Sequence, residues 1–203
     1  MHCRGLVWLS RIRHSLGFGI QSPTDYAFVR YVVNEHWPYY AYDELHEDSW
    51  LRKKLGRLYL RLANWRQPSV ILSDDYHPWF HAGCAKSILS PLTPHPSPNT
   101  QHPSPNTQHP TPNTQHPSPN TQHPSPNTID LARIPIDQWD SFEPLMTHCD
   151  QQTVLVVEDI WRNPQRWQQI TRDTRTGTTF DLYYCGIVFF DTERYKHNYI
   201  INF

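Results

Sequence analysis

Thr153-Val154-Leu155-Val156-Val157 is an apolar run without polar alternation, and it closes on the acidic pair Glu158-Asp159. A strand with one wet face alternates apolar and polar side chains. A strand covered on both faces does not, so this run predicts the central strand of a mostly parallel α/β sheet with helices above and below. Downstream, Pro164 at an early helical position predicts a helix to about residue 171, and strands are expected over 178–182, 186–190 and 199–203. The connection between the last two runs is too short for a crossover helix, so they are expected to pair as an antiparallel edge that ends the sheet. Upstream, 129–134 reads as a strand and 137–148 as a helix.

Ahead of that block the composition changes abruptly. The unit His-Pro-Ser-Pro-Asn-Thr-Gln starts at His95 and returns at His102, His109, His116 and His123, with Thr111 in place of one serine. No charged side chain lies between Lys86 and Asp130, and no large apolar one between Leu92 and Ile129. Such a segment buries too little surface to offset chain entropy, which predicts a disordered spacer of polyproline-II character. The seven-residue period carries no apolar seam, and its two prolines per unit forbid a coiled coil. Five histidines at that spacing on an extended chain stand about 20 Å apart, too far to share a metal. The expected organisation is therefore 1–90, with the N-terminal helices, first strand and its helix, then 91–128 as the repeat, then 129–203 as the second half of the same domain.

In the first block, Ser22-Pro23-Thr24-Asp25 has the form of a helix start, with Ser as cap and Asp at the capping-box position. A longer helix is expected over 48–65, with Leu51, Leu55, Leu58 and Leu62 on one face. Its other face carries Arg52, Lys53, Lys54, Arg57 and Arg61, which is either a solvated face or a surface for an anionic partner. Pro68 ends that unit, and Ser69-Val70-Ile71-Leu72 forms a short buried strand running into Ser73-Asp74-Asp75. The formal net charge of −1 lacks the basic excess of a dedicated nucleic-acid binder. No segment approaches a membrane span, and Leu6-Val7-Trp8-Leu9 is too short for a signal-peptide core, so a cytoplasmic address is expected. The cysteines Cys3, Cys84, Cys149 and Cys185 have no metal-ligand spacing, and Cys185 sits among apolar residues as a buried thiol would.

Several spaced segments carry a resemblance. His14-Ser15-Leu16-Gly17-Phe18-Gly19-Ile20-Gln21-Ser22-Pro23, Pro38-Tyr39-Tyr40-Ala41-Tyr42, Val154-Leu155-Val156-Val157-Glu158-Asp159-Ile160 and Gly186-Ile187-Val188-Phe189-Phe190 occur in the order found in a bacterial family of small class I S-adenosylmethionine-dependent methyltransferase-like proteins. The similarity covers about 14–72 and 129–203. It implies an incomplete Rossmann-like sheet with an antiparallel C-terminal strand. It further implies S-adenosylmethionine beyond the carboxyl ends of the first strands, and a small-molecule methyl acceptor.

The chain departs from the pattern that resemblance implies. After Val70-Ile71-Leu72 the expected acidic residue and spaced glycines give way to Ser73-Asp74-Asp75-Tyr76-His77-Pro78-Trp79, and the first glycine is Gly83. The implied second strand, with its ribose-binding carboxylate, would fall within the repeat. Asp74 and Asp75 are the cofactor-binding candidates, against a reading as solvated turn residues. Glu158 and Asp159 are the catalytic candidates, for substrate positioning or general-base help in the crevice, against a structural pair capping the next loop. Trp161 stands where the family has a histidine. Two functional expectations follow: a methyltransferase-like protein of impaired or no activity, or a non-catalytic interaction scaffold displaying a Pro-rich insert. No metal site is expected.

Overall fold

The computed structural model describes residues 4–15, 17–73, 78–84, 88–91 and 128–203. The repeat units, Asp74 and Asp75 lie outside the described residues, and so does the expectation of a disordered spacer.

The strands form one seven-stranded sheet. In chain order they are β1 (Val70–Ser73), β2 (Ile88–Pro91), β3 (Leu131–Pro135), β4 (Val154–Glu158), β5 (Thr179–Asp181), β6 (Cys185–Phe189) and β7 (Asn198–Ile200). In space they run β2-β1-β3-β4-β6-β5-β7. The β2, β1, β3 and β4 neighbours are parallel, β6 is antiparallel to both β4 and β5, and β7 is parallel to β5. The apolar run therefore does form the middle strand. The helices are α1 (Arg4–Ser10), α2 (Pro23–Phe28), α3 (Ala41–Glu44), α4 (Trp50–Arg66), α5 (Pro78–Gly83), α6 (Phe142–Met146) and α7 (Pro164–Arg172). The residues of β4 alternate between two cores: Val154 and Val156 pack with α2, α4 and α5, while Leu155 and Val157 pack with α6 and α7. All four are buried, as a strand sandwiched between helical layers must be.

Helix α4 is placed by the Leu55, Leu58 and Leu62 face, all buried, and it ends where Gln67 turns left-handed and donates its N–H to the Ala63 carbonyl. Helix α2 begins as its sequence predicts, with the Ser22 hydroxyl accepting from the Asp25 N–H at 3.3 Å behind Pro23. The Asp25 carboxylate turns instead to Arg194 and Tyr199, tying this helix to the far end of the chain. Helix α7 is capped by Asn163, which accepts from the Arg166 N–H at 3.1 Å.

Three expectations are corrected. The antiparallel strand is β6, not the C-terminal one, and the 186–190 and 199–203 runs do not pair with each other. The cause is Tyr183, which takes φ 72 and lets β5 fold straight back on β6 through Leu182-Tyr183-Tyr184, with the Leu182 N–H on the Cys185 carbonyl at 2.9 Å. With β4 on one edge of β6 and β5 on the other, β7 has only the outer edge of β5 to join. Second, a strand that the sequence does not announce, β2, pairs with β1 across the expected boundary at residue 90, so the strand next to β1 precedes the repeat. Third, Arg61 is not on a solvated face. It is buried, with Nε on the Val32 carbonyl at 2.6 Å, Nη2 on the Val33 carbonyl at 2.9 Å and Nη1 on the Tyr42 hydroxyl at 3.0 Å. The preceding segment, a π-helical turn over Val29–Val33, leaves those carbonyls open to a donor from another element.

Helix α7 presses Trp167 directly onto β6 at Gly186, where an added Cβ would stand 2.2 Å from the indole ring. Gly186→Ala is expected to lower the thermal midpoint by several degrees, a loss on the order of 1–3 kcal/mol. In a Trp167→Leu background the same change should be nearly neutral. A thermal-melt double-mutant cycle checks it, and an equal loss in both backgrounds would remove this contact as the cause.

Candidate functional site

The carboxyl ends of β1, β3 and β4 and the amino end of β6 share one edge of the sheet, and α4 lies across it, since a short connection joins α4 to β1 and reverses the chain direction. Glu158 ends β4 there. One of its oxygens accepts from the Tyr59 hydroxyl of α4, and the other is ion-paired with Arg133 of β3. The three side chains join helix, strand and strand into one buried cluster. Tyr59 is fully buried and stacks on Phe80 at 4.8 Å. Burial, followed by the Glu158 charge, pushes the Tyr59 phenol well above its ordinary pKa, so it stays a neutral donor. Burial pulls the Arg133 pKa down, but the hydrogen bond and charge of Glu158 outweigh it and the net shift is upward. Arg133 therefore stays charged, and its Nε is buried without a partner among the described residues.

Asp159, the second catalytic candidate, faces elsewhere. It adopts φ 58, a left-handed conformation that Asp tolerates better than most residues, and its N–H donates to the Tyr184 carbonyl at 2.8 Å. Its carboxylate accepts from the Trp161 indole N–H at 3.2 Å and pairs with Arg162 at 3.2 Å. Asp159 thus fastens the 3₁₀ turn Ile160–Arg162, and the acidic pair splits, one carboxylate inward to Arg133 and the other onto its own loop. Glu158 does not lie free in an open crevice, because both its oxygens are committed to donors from the protein.

Arg133 and Tyr59 were not among the sequence candidates. Arg133 carried the one available signal, a charge inside the apolar strand Leu131-Ala132-Arg133-Ile134, which must find a partner if the strand is buried. Cys185 is buried as expected, and burial, with the nearby Glu158 charge next, raises its thiol pKa well above the usual value.

Beyond β1 the chain enters α5, whose first turn carries Trp79. This indole is fully buried against Gly56 of α4, where an added Cβ would stand 2.4 Å from the ring, and its N–H donates to Glu47 at 3.2 Å. The tyrosine segment is mostly structural. Tyr39 donates to Glu35 at 2.9 Å, Tyr40 is exposed, and Tyr42 accepts from Arg61 and lies beneath Arg57. Among the described residues no helix is long and apolar enough to cross a membrane. No family model, no curated protein and no solved structure matches this chain.

Proposed function

We propose that this chain is a methyltransferase-like protein on a Rossmann-like sheet, of the class I S-adenosylmethionine-dependent kind, in which methyl transfer is impaired or absent. The sheet supports the ancestry. Strand order reverses between β1 and β3, so the connections leaving their carboxyl ends diverge, and helices cover both faces. In open α/β sheets that divergence opens the ligand crevice.

The observation that carries the loss of activity is Trp79. A cofactor pressed against the turn after the first strand needs backbone without a bulky side chain, the usual work of glycine. Here the helix that follows β1 begins with an indole filling the space beside Gly56. The acidic side chain that ends β4, Glu158, is held by Arg133 and Tyr59. These residues do not fit S-adenosylmethionine. Calorimetric titration of the purified chain with S-adenosylmethionine is expected to give no binding tighter than about millimolar, or about −4 kcal/mol. A saturable micromolar isotherm would overturn the reading and restore an active enzyme.

A further inference from the structure

Three of the four exposed tryptophans of the chain, Trp8, Trp37 and Trp50, stand around one opening. It leads into a cavity of about 670 Å³, within the range of small-molecule sites. Its wall is mostly aromatic and apolar, yet the N-terminal half of α4 projects Lys53, Lys54 and Arg57 into it. Among the described residues none of these three cations forms an ion pair. Glu35, the carboxylate on the wall, is engaged by the Tyr39 hydroxyl.

The cations sit against rings rather than acceptors. Lys54 Nζ lies 4.3 Å from the Phe203 ring centre and 5.1 Å from that of Trp50, and the Arg57 guanidinium lies 4.7 Å over Tyr42. Arg57 Nε and Asn34 Nδ2 are both buried without a hydrogen-bond partner among the described residues. Buried donors left unsatisfied are costly, and a cluster of them facing a cavity lacks only an acceptor. Burial, with the charge of Arg61 next, draws the Lys54 pKa down to about 8, as expected of an ammonium without a counter-ion.

We propose that this cavity binds a small planar aromatic anion, its ring set among the tryptophans and its oxyanion on Lys54, Arg57 and Asn34. A purely apolar ligand would leave the donors unsatisfied, and a bare inorganic anion would leave the aromatic rim unused. The lining of the cavity does not include Glu158, Asp159 or Trp79, and its test involves no S-adenosylmethionine, so it stands whichever way the methyltransferase-like reading falls.

Tryptophan fluorescence and calorimetry of the full chain would compare naphthoate, naphthyl phosphate, the neutral naphthylmethanol and inorganic phosphate. At least one naphthyl anion is expected to bind saturably, about tenfold or more tighter than the alcohol and than inorganic phosphate. The tighter of the two anions tells whether the oxyanion is a carboxylate or a phosphate. Lys54→Gln and Arg57→Gln should each weaken it by about tenfold. Lys53→Glu, at an exposed position that leaves packing untouched, should weaken it by a smaller factor and keeps the test valid if the other variants fold poorly. The proposal falls if the alcohol binds as well as the anions, if inorganic phosphate matches them, if no naphthyl compound saturates, or if charge reversal at Lys53 leaves affinity unchanged.

Discussion

Leu155→Asp is expected to abolish cooperative unfolding. Leu155 is fully buried, its register partners across β3 and β6 are Ala132 and Val188, and its face packs on α6 and α7 with no cation in that core. An aspartate there has no counter-charge, and the loss should exceed about 4 kcal/mol, most of a total stability of about 5–15 kcal/mol. Val156→Asp, one position away on the same strand, should be milder. Val156 points to the opposite face, and its register partner on β3 is Arg133, whose Nε has no partner among the described residues. Circular dichroism melts of the two variants check the contrast. Equal losses would mean that Arg133 does not reach across to position 156, and a tolerated Leu155→Asp would remove β4 from the centre of the sheet.

Arg133→Met should be the second severe change. It takes the cation away from the Glu158 carboxylate, whose side chain is only 15% exposed. Removing one partner of a buried ion pair costs about 3–5 kcal/mol, and the residual exposure of Glu158 places this case near the lower end. The double variant Arg133→Met with Glu158→Leu should recover most of that loss, since no buried charge is then left uncompensated. Denaturant midpoints measure it. If the double variant is less stable than Arg133→Met alone, Glu158 contributes through something other than this pair.

Much of the fold was legible because it is written in local pattern. The unbroken apolar run gave β4, the Leu55, Leu58 and Leu62 spacing gave α4, and Asn163-Pro164 gave the start of α7. What was not legible depends on contacts between distant residues. Tyr183 in a left-handed turn is a choice no propensity announces, yet it sets the order of the last three strands. Arg61 sits on the polar side of an amphipathic pattern, and its carbonyl partners lie 29 and 28 positions earlier. At the site, Glu158 at a strand end was legible. The residues that occupy its two oxygens were not, since Tyr59 lies 99 positions away, in a stretch of α4 where every residue from Leu58 to Ala63 is buried.

The N-terminal segment fastens onto the last strands of the chain. Arg11 reaches the Asp181 carboxylate at 2.8 Å, His14 accepts from the Asn202 N–H at 2.9 Å, and the Asn202 side chain donates to Ser15 at 3.0 Å. The paired residues are 170 to 188 positions apart. On a ribosome, the residues around Arg11 leave the exit tunnel long before β5 and β7 exist, with the whole repeat still to be translated between them. Until then nothing has been made to receive Arg11 or Ser15. The segment around Arg11 is thus made early and docks late, and a nascent chain stalled within the repeat carries it with its hydrogen-bonding groups unmatched.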